Sequence, residues 1–185
     1  MKWNKEIFGL LLLSLSVLAC NSTSQNAEEE RQIFFFDLQT YFDEEIERLS
    51  ELQPKVEKIL SIDQEEEILS VDTLNYANEL EVFRQSDINK VSWQDKYQAD
   101  TTRNVDGEAQ RIVYTALDEK LGTRSIDISF KEGKPQQISI QKAVQSPVLQ
   151  SSQDLIYQPK IGFSIAQKQK VKLMAEKELK VKVRY

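Results

Sequence analysis

Residues 124–142, RSIDISFKEGKPQQISIQK, alternate between apolar and polar side chains on both sides of a short turn-forming segment. The apolar positions are Ile126, Ile128, Phe130, Ile138 and Ile140. Since neighbouring side chains of a strand point to opposite faces, this alternation indicates two half-buried strands, 124–131 and 136–142. Glu132-Gly133-Lys134-Pro135 lies between them and is typical of a hairpin turn. The segment therefore predicts an antiparallel sheet with one buried and one hydrated face.

The same alternation continues on both sides of this hairpin. The apolar positions that carry it are Ile112, Tyr114, Leu155, Tyr157, Ile161, Phe163, Ile165, Val171, Leu173, Leu179, Val181 and Val183. Further turns are indicated at Gln158-Pro159-Lys160 and at Glu176-Lys177. We therefore predict a curved antiparallel meander of six to seven strands over residues 91–185.

Upstream of the sheet, apolar residues recur at steps of three and four, which indicates amphipathic helices. Asn26 followed by Glu29 is typical of a helix start, and Pro54 disfavours continuation of this first helix. A second helix is predicted from a cap at Asp72 to a point near Ser86. The apolar stripes are Phe35, Leu38, Phe42, Ile46, Leu49 and Leu52, then Leu74, Ala77, Leu80 and Phe83. Helices before strands predict an α+β fold, with both helices packed on one face of the sheet.

Residues 55–71 fit either a hairpin or a continuation of the first helix. Val56, Leu60 and Ile62 alternate in part, and residues 63–65 fit a turn, which favours the hairpin.

The composition of the chain divides it into three parts. Residues 1–19 are a predicted signal peptide, and residues 20–26 are a short polar tether. Residues 27–185 are long enough for a single domain with its own core. We expect this domain to be mainly helical over 27–90 and to form the antiparallel sheet over 91–185.

Lys2 and Lys5 followed by the apolar run 7–19 are typical of an export signal, and the run is too short to span a bilayer. It ends in Val17-Leu18-Ala19-Cys20, which resembles the lipobox of bacterial lipoproteins. That resemblance implies that the signal is cut before Cys20 and that Cys20 carries acyl chains such as palmitate, which hold the protein to the membrane. The alternative is an ordinary secretory signal that leaves a free thiol, a liability in an oxidising compartment. We predict lipidation of Cys20.

The composition excludes several kinds of chemistry. The chain has no histidine and one cysteine, so it lacks the residues for a Ser-His-Asp triad and for the usual zinc or thiolate metal sites. Asp and Glu number 30 against 24 Lys and Arg, a net charge of −6, which disfavours nucleic acid as a partner. We predict no catalytic residue, no metal site and no cofactor, and hence a protein that is not an enzyme.

Three groups of residues are candidates for a ligand site or an interface. Phe34, Phe35 and Phe36 make one turn of the first predicted helix apolar on all sides. We favour the interpretation that these rings join the core. The alternative is that they enter the membrane interface or close a ligand cavity.

Lys170, Lys172, Lys180 and Lys182 fall on alternate residues of the last two predicted strands, so their side chains share one face. Such a basic stripe can bind anionic headgroups or a polyanion. It is also typical of a solvated outer face on which lysine protects an edge strand from stray pairing, and we favour that interpretation.

The turn Asp87-Ile88-Asn89-Lys90 lies between the second helix and the sheet, and Trp93 follows it. We expect Asp87 or Asn89 to satisfy backbone groups of the turn and Trp93 to cover the junction. A binding role for Asp87, Asn89 and Trp93 is the alternative.

Several short segments together resemble a known family. They are Phe35-Phe36-Asp37-Leu38, Tyr41-Phe42, Glu45, Glu79-Leu80, Phe83, Asp87-Ile88-Asn89-Lys90, Trp93 and Gln169-Lys170-Val171. With the lipobox, this set resembles a family of uncharacterised lipoproteins from Bacteroidota, over nearly the whole mature chain. The resemblance implies a Gram-negative envelope, and for most such lipoproteins the outer membrane. Residues 21–24 lack the acidic residues of surface-export signals, so we expect the protein to face the periplasm. The family brings no activity, cofactor or catalytic residue.

We therefore expect an envelope lipoprotein, anchored through Cys20, with a structural or protein-binding role. The alternative is a carrier of lipid or lipoprotein. In that case a curved sheet and the helices would enclose an apolar cavity, lined by Phe34 to Phe36, of several hundred Å³.

Overall fold

A nine-stranded antiparallel sheet carries two helices on one of its faces. The computed structural model describes residues 32–63 and 65–185. The predicted signal peptide, Cys20, the tether and the predicted helix cap Asn26 lie outside the described residues. The elements are α1 (Leu38–Leu52), β1 (Val56–Ile62), β2 (Glu65–Val71), α2 (Tyr76–Arg84), β3 (Tyr97–Arg103), β4 (Ala109–Ala116), β5 (Thr123–Lys131), β6 (Lys134–Gln145), β7 (Leu149–Gln158), β8 (Gly162–Val171) and β9 (Lys177–Arg184), with a short 3-10 helix at Val91–Trp93.

The strand order across the sheet is β2-β1-β9-β8-β7-β6-β5-β4-β3. From β3 to β9, each strand pairs with the next one in the chain, which gives a meander. The hairpin β1–β2 is the exception, because β1 pairs with the last strand, β9, with Leu60 opposite Val181. The first and the last strand of the chain's described part therefore lie side by side, one strand away from an edge of the sheet.

The predicted number of six to seven strands is wrong, since the sheet has nine. β3 does not show the alternation because only Tyr97 of its seven residues is buried. β1 and β2 form the hairpin that the pattern of residues 55–71 favours, and they extend the same sheet. The described unit is thus mostly sheet with two short helices, and α+β describes it only roughly.

The first helix begins later than predicted, at Leu38, although it ends before the proline as expected. Residues 32–37 are not helical, because side chains from distant parts of the chain bind their backbone N–H groups, as described below. Asp37 caps the helix, and its carboxylate accepts hydrogen bonds from the N–H and the hydroxyl of Thr40. Phe35 therefore belongs to this non-helical segment and not to the helical stripe.

The second helix is capped by Asn75 and not by the predicted Asp72. The Oδ1 atom of Asn75 accepts the N–H of Asn78 at 3.1 Å. Asp72 follows directly after β2, so the chain uses residues 72–75 to leave the sheet before the helix begins. The helix ends at Arg84, slightly before the predicted end.

Two turns also differ from their predicted form. Glu132 and Gly133 have φ angles of +52° and +72°, as in the two-residue turn of a tight hairpin, so β6 already begins at Lys134. β8 ends at Val171. Leu173, which was predicted to continue that strand, lies in the loop before β9 with a φ of +67°.

The core lies between the two helices and the sheet, and much of it is aromatic. Phe42 of α1 and Phe83 of α2 pack against Tyr157 of β7, with ring centroids 5.1 and 6.0 Å away. Phe83 also packs against Phe163 of β8 at 6.0 Å. Fully buried aliphatic residues surround these rings: Leu38, Leu49, Leu80, Ile88, Ile126, Ile128, Ile138 and Ile140. Residues 32–185 thus form one compact unit with its own core.

Gly162, the first residue of β8, is a position that only glycine fits. Its φ is +136°, and a Cβ atom there would lie 1.9 Å from the carbonyl oxygen of Val183 in β9. The absent side chain allows β8 and β9 to approach closely where they meet the core.

Candidate functional site

The side chain of Asn89 binds the backbone of the segment that precedes α1. Its Oδ1 atom accepts the N–H groups of Phe34 at 2.9 Å and Phe35 at 2.8 Å. Its Nδ2 atom donates to the carbonyl of Phe36 at 3.2 Å. One side chain that is only 7% exposed therefore satisfies three backbone groups of a distant segment.

Asp87 completes this arrangement. One carboxylate oxygen accepts the N–H of Asn89 at 2.8 Å, so Asp87, and not the side chain of Asn89, satisfies a backbone group of the turn. The other oxygen accepts the N–H of Leu38 at 3.1 Å and the Nδ2 of Asn89 at 3.1 Å. We call Asp87, Asn89 and the segment 34–38 that they bind the Asp87–Asn89 clamp. The clamp fixes the point at which the chain enters the folded unit.

The three phenylalanines do not share one environment. Phe35 packs edge-on against Tyr97 and Tyr114, with centroids 5.9 and 5.4 Å away. Phe36 packs against Phe130 of β5 at 6.1 Å, and its N–H donates to the hydroxyl of Tyr114. Phe34 is half-buried. Phe35 and Phe36 thus lie against the sheet at the margin of the core.

Trp93 lies in the connection between the second helix and β3, and its described ring contacts are with Lys90 and Tyr97. It is half-buried and packs against Tyr97 at 6.1 Å, while the Nζ of Lys90 lies 4.0 Å from its ring centroid. The hydroxyl of Tyr97 donates to the carbonyl of Thr123, and burial raises the pKa of Tyr97 to about 12. Trp93 therefore packs against a tyrosine whose hydroxyl is neutral and hydrogen-bonded.

The predicted basic stripe lies on the face of the sheet away from the helices. Lys180 is opposite Ala166, and Lys182 is opposite Ser164, while the alternate positions of both strands face the core. Lys170 shares this outer face, but Lys172 lies in the loop beyond β8. Glu178 partly neutralises the stripe through an ion pair with Lys180 at 3.2 Å.

The interpretation that these lysines protect an edge strand is wrong. β8 lies between β7 and β9, and β9 lies between β8 and β1, so both strands are internal. The edge strands of the sheet are β2 and β3, and neither is one of the strands predicted for the meander. Burial of β9 inside the sheet follows from its pairing with the N-terminal hairpin.

A polar cluster that is not among the predicted sites lies beneath α1. The carboxylate of Glu45, whose side chain is 13% exposed, accepts two hydrogen bonds from Arg48, at 2.9 and 2.7 Å, and one from the hydroxyl of Tyr157. Arg48 also donates to the carbonyl of Pro159 in the turn after β7. The sequence feature that points to this cluster is the predicted burial of Tyr157, because a buried tyrosine needs a hydrogen-bond partner.

The phenols around Glu45 stay protonated over the physiological pH range. Burial raises the pKa of Tyr185 to about 12, and burial together with the charge of Glu45 raises the pKa of Tyr41 above its usual range. Burial is also the main reason that the pKa of Tyr157 is raised. The hydroxyl of Tyr76 is buried and has no hydrogen-bond partner among residues 32–63 and 65–185. These phenols are neutral, and the hydrogen bonds from Arg48 and Tyr157 to Glu45 hold α1 on the sheet.

An open cleft of about 500 Å³ lies beside this cluster. Its wall includes Tyr41 and Glu45 from α1 and residues of the β5–β6 and β7–β8 turns, among them Lys131, Lys134 and Lys160. The lining is of mixed charge and is open to solvent, which suits a polar partner better than an acyl chain.

The helix-side face of the sheet becomes polar beyond the helices. Lys142 of β6 is half-buried there, opposite Gln153, and burial lowers its pKa. Gln153 in turn donates to Gln167 of β8 at 3.0 Å. Lys142 forms no ion pair with any described residue. This region carries polar groups on the face where a lipid carrier needs apolar ones.

Neither described helix has the length and apolar content needed to cross a bilayer. Over residues 32–63 and 65–185, Cys, Asp and Glu side chains do not gather in any group of three that would suit a metal ion.

A scan of models of protein families finds no match to this chain, and neither do searches of curated proteins and of solved structures. The resemblance to lipoproteins of Bacteroidota stays a prediction from the segments quoted above.

Proposed function

We propose that this chain is a lipid-anchored, non-enzymatic protein of the cell envelope whose folded unit binds a protein partner. The anchoring part rests on Cys20, which follows an export-signal pattern. The Asp87–Asn89 clamp is compatible with an anchor upstream of it, because the clamp holds the backbone of the folded unit from Phe34 onward. Residues 21–31 separate Cys20 from the first described residue and reach at most about 40 Å. An acylated Cys20 therefore keeps the folded unit close to the bilayer.

The filled core argues against the carrier alternative. A carrier needs an apolar cavity between helices and sheet, of roughly 300–1,000 Å³ for a ligand of moderate size. In this unit, that space holds Phe42, Phe83 and Tyr157, which are fully buried. Phe35 and Phe36, proposed to line such a cavity, pack against aromatic residues of the sheet instead. A binding surface on the outside of the unit is therefore the better-supported proposal.

The observation that carries the partner-binding part is the edge strand β2. Among the described strands it pairs only with β1, and six of its seven residues are exposed, including Ile68 at 62% and Leu69 at 40%. An exposed edge with apolar side chains is a template for a strand from another protein. Glu65, Glu66 and Glu67 at its start favour a partner segment that is extended and basic.

The anchor is tested by fractionation of the native host. The wild-type chain should sediment with membranes, at the density of the outer membrane, and intact mass should show acylation of Cys20. A variant with a signal for the ordinary secretory peptidase in place of residues 1–19, combined with Cys20→Ala, should be soluble in the periplasm. Membrane retention of that variant would reject the anchor.

The partner site is tested by photocrosslinking in the envelope from position 68. We expect a discrete adduct that Glu66→Lys removes. A crosslinker at Thr101, an exposed residue of the other edge strand β3, is the matched control. Equal adducts from both edges, or none from position 68, would contradict a site on β2.

A further inference from the structure

Two neighbouring loops place exposed apolar side chains together at the end of the sheet farther from the helices. The loop before β7 carries Val148, and the loop between β8 and β9 carries Leu173 and Met174. These side chains are 60%, 98% and 58% exposed. The N–H of Lys172 donates to the carbonyl of Val148 at 2.9 Å, so the two loops are in direct contact. We call Val148, Leu173 and Met174 the apolar tip.

The local structure gives no reason for a leucine at position 173. Its φ of +67° lies in the left-handed region, where glycine or asparagine is usual. Hairpin loops are normally polar, and a leucine that is 98% exposed gains nothing from packing against the other described residues. Neither its conformation nor its local packing thus accounts for this aliphatic side chain.

Cationic side chains surround the apolar tip. Lys170, Lys172 and Lys177 are all exposed and lie within a few residues of Leu173. Within the described part of the chain they form no ion pair, whereas the nearby Lys168 and Lys180 are paired with Glu178. Only Glu176 opposes them in this loop. The tip thus combines aliphatic groups with unpaired positive charge, although the chain as a whole is acidic.

We propose that the apolar tip inserts into the interfacial region of a bilayer that contains anionic lipid, with Lys170, Lys172 and Lys177 at the level of the headgroups. This inference rests on the proposed anchoring at Cys20, because a tether of at most about 40 Å keeps the tip within reach of the membrane. Aliphatic side chains flanked by lysine are the combination that binds this interface, since lysine can extend its ammonium group towards the headgroups. A second contact of this kind would fix the orientation of the folded unit on the surface.

The position of the tip is measured with tryptophan as a depth probe. The chain has two tryptophans, Trp3 in the predicted signal and Trp93. We would purify acylated protein carrying Trp93→Phe with Leu173→Trp, and reconstitute it in vesicles of phosphatidylethanolamine and phosphatidylglycerol at 3:1. The matched control carries Val105→Trp, because Val105 is fully exposed in the β3–β4 turn at the opposite end of the sheet. Brominated lipid should quench the emission at 173 and leave the emission at 105 unchanged.

Equal quenching at the two positions, or none at 173, would overturn the proposal. A blue-shifted emission at 173 that appears without vesicles and depends on protein concentration would also overturn it, because the tip would then contact a second copy of the chain.

A second measurement separates the tip from the anchor. Residues 21–185 without the acylated cysteine contain the whole compact unit. They should bind the same vesicles weakly, and binding should fall with added salt. Leu173→Asp with Met174→Asp should weaken that binding at least about tenfold, the effect of withdrawing one buried aliphatic side chain. Val105→Asp should leave it unchanged. If Cys20 proves not to be acylated but residues 21–185 still bind the vesicles, only the proposed anchor is refuted. If the double Asp variant at the tip and Val105→Asp bind the vesicles equally well, the proposed membrane contact of the apolar tip is refuted.

Discussion

The two ends of strands β6–β9 differ in where their apolar side chains lie. At one end, Ile138, Tyr157 and Phe163 are covered by the helices and are almost fully buried. At the other end, Val148 and Leu173 are 60% and 98% exposed. The same strands thus join a closed core to an open apolar surface. The position of the helices therefore determines which apolar side chains of these strands are buried. Substitutions at the two ends should have very different effects on the free energy of unfolding.

The largest effect is expected at the covered end, for Gly162→Ala. The new Cβ would overlap the carbonyl oxygen of Val183, so the strands must separate. We expect a loss of about 3–5 kcal/mol in the free energy of unfolding, measured by urea denaturation. Gly133→Ala is the control, since its φ is also positive but nothing lies within 4 Å, and it should lose only about 1–2 kcal/mol. Equal losses would show that β8 and β9 can relax.

A somewhat smaller effect is expected for Asn89→Ala in the clamp. The N–H groups of Phe34 and Phe35 lose their acceptor in a partly buried site, and the carbonyl of Phe36 keeps only its hydrogen bond from the N–H of Leu38. The loss should be about 2–4 kcal/mol, with faster hydrogen exchange over residues 34–38. Asn104→Ala removes two similar bonds within an exposed turn and should lose about 1 kcal/mol. Unchanged exchange over residues 34–38 would contradict the clamp.

Tyr157 in β7 and Tyr76 in α2 should respond differently to loss of the hydroxyl group. Tyr157→Phe removes a donor to the Glu45 carboxylate and should destabilise the unit by about 2 kcal/mol. Tyr76→Phe removes a buried hydroxyl that no described residue hydrogen-bonds, so it should be neutral or stabilising by up to about 1 kcal/mol. Thermal unfolding of both variants provides the comparison, and a large loss for Tyr76→Phe would mean that a water molecule satisfies its hydroxyl.

The smallest effect is expected at the open end, for Leu173→Ser. The side chain makes almost no packing contact, so the change in the free energy of unfolding should lie within about 0.5 kcal/mol. Ile138→Ala, at the covered end of the same sheet, is the reference and should lose roughly 2–5 kcal/mol. A loss above about 1 kcal/mol for Leu173→Ser would show that the tip is packed within the chain and would remove the basis for its proposed membrane contact.

The sequence predicts the strands whose alternation is local, such as the β5–β6 hairpin, because the period of two depends on neighbouring residues only. It does not predict β3, whose exposed residues leave no buried face to read. Asn89 and Phe34 are 55 residues apart, so their hydrogen bond has no local signal and the start of α1 was misplaced. Tyr157 and Glu45 are more than 100 residues apart, so no local pattern identifies Glu45 as the acceptor of the buried tyrosine.

The pairing of β1 with β9 has a consequence for how the protein matures. Glu57 and Arg184, which pair across these strands, are 127 residues apart. During synthesis, the β1–β2 hairpin therefore stays without its neighbour until residues 177–184 have been made, and such distant pairing is slow to form. A nascent chain that stops before residue 177 would leave both β1 and β8 with open edges, which invite aggregation and proteolysis. The sheet is therefore continuous from β2 to β3 only after β9 has taken its place between β8 and β1.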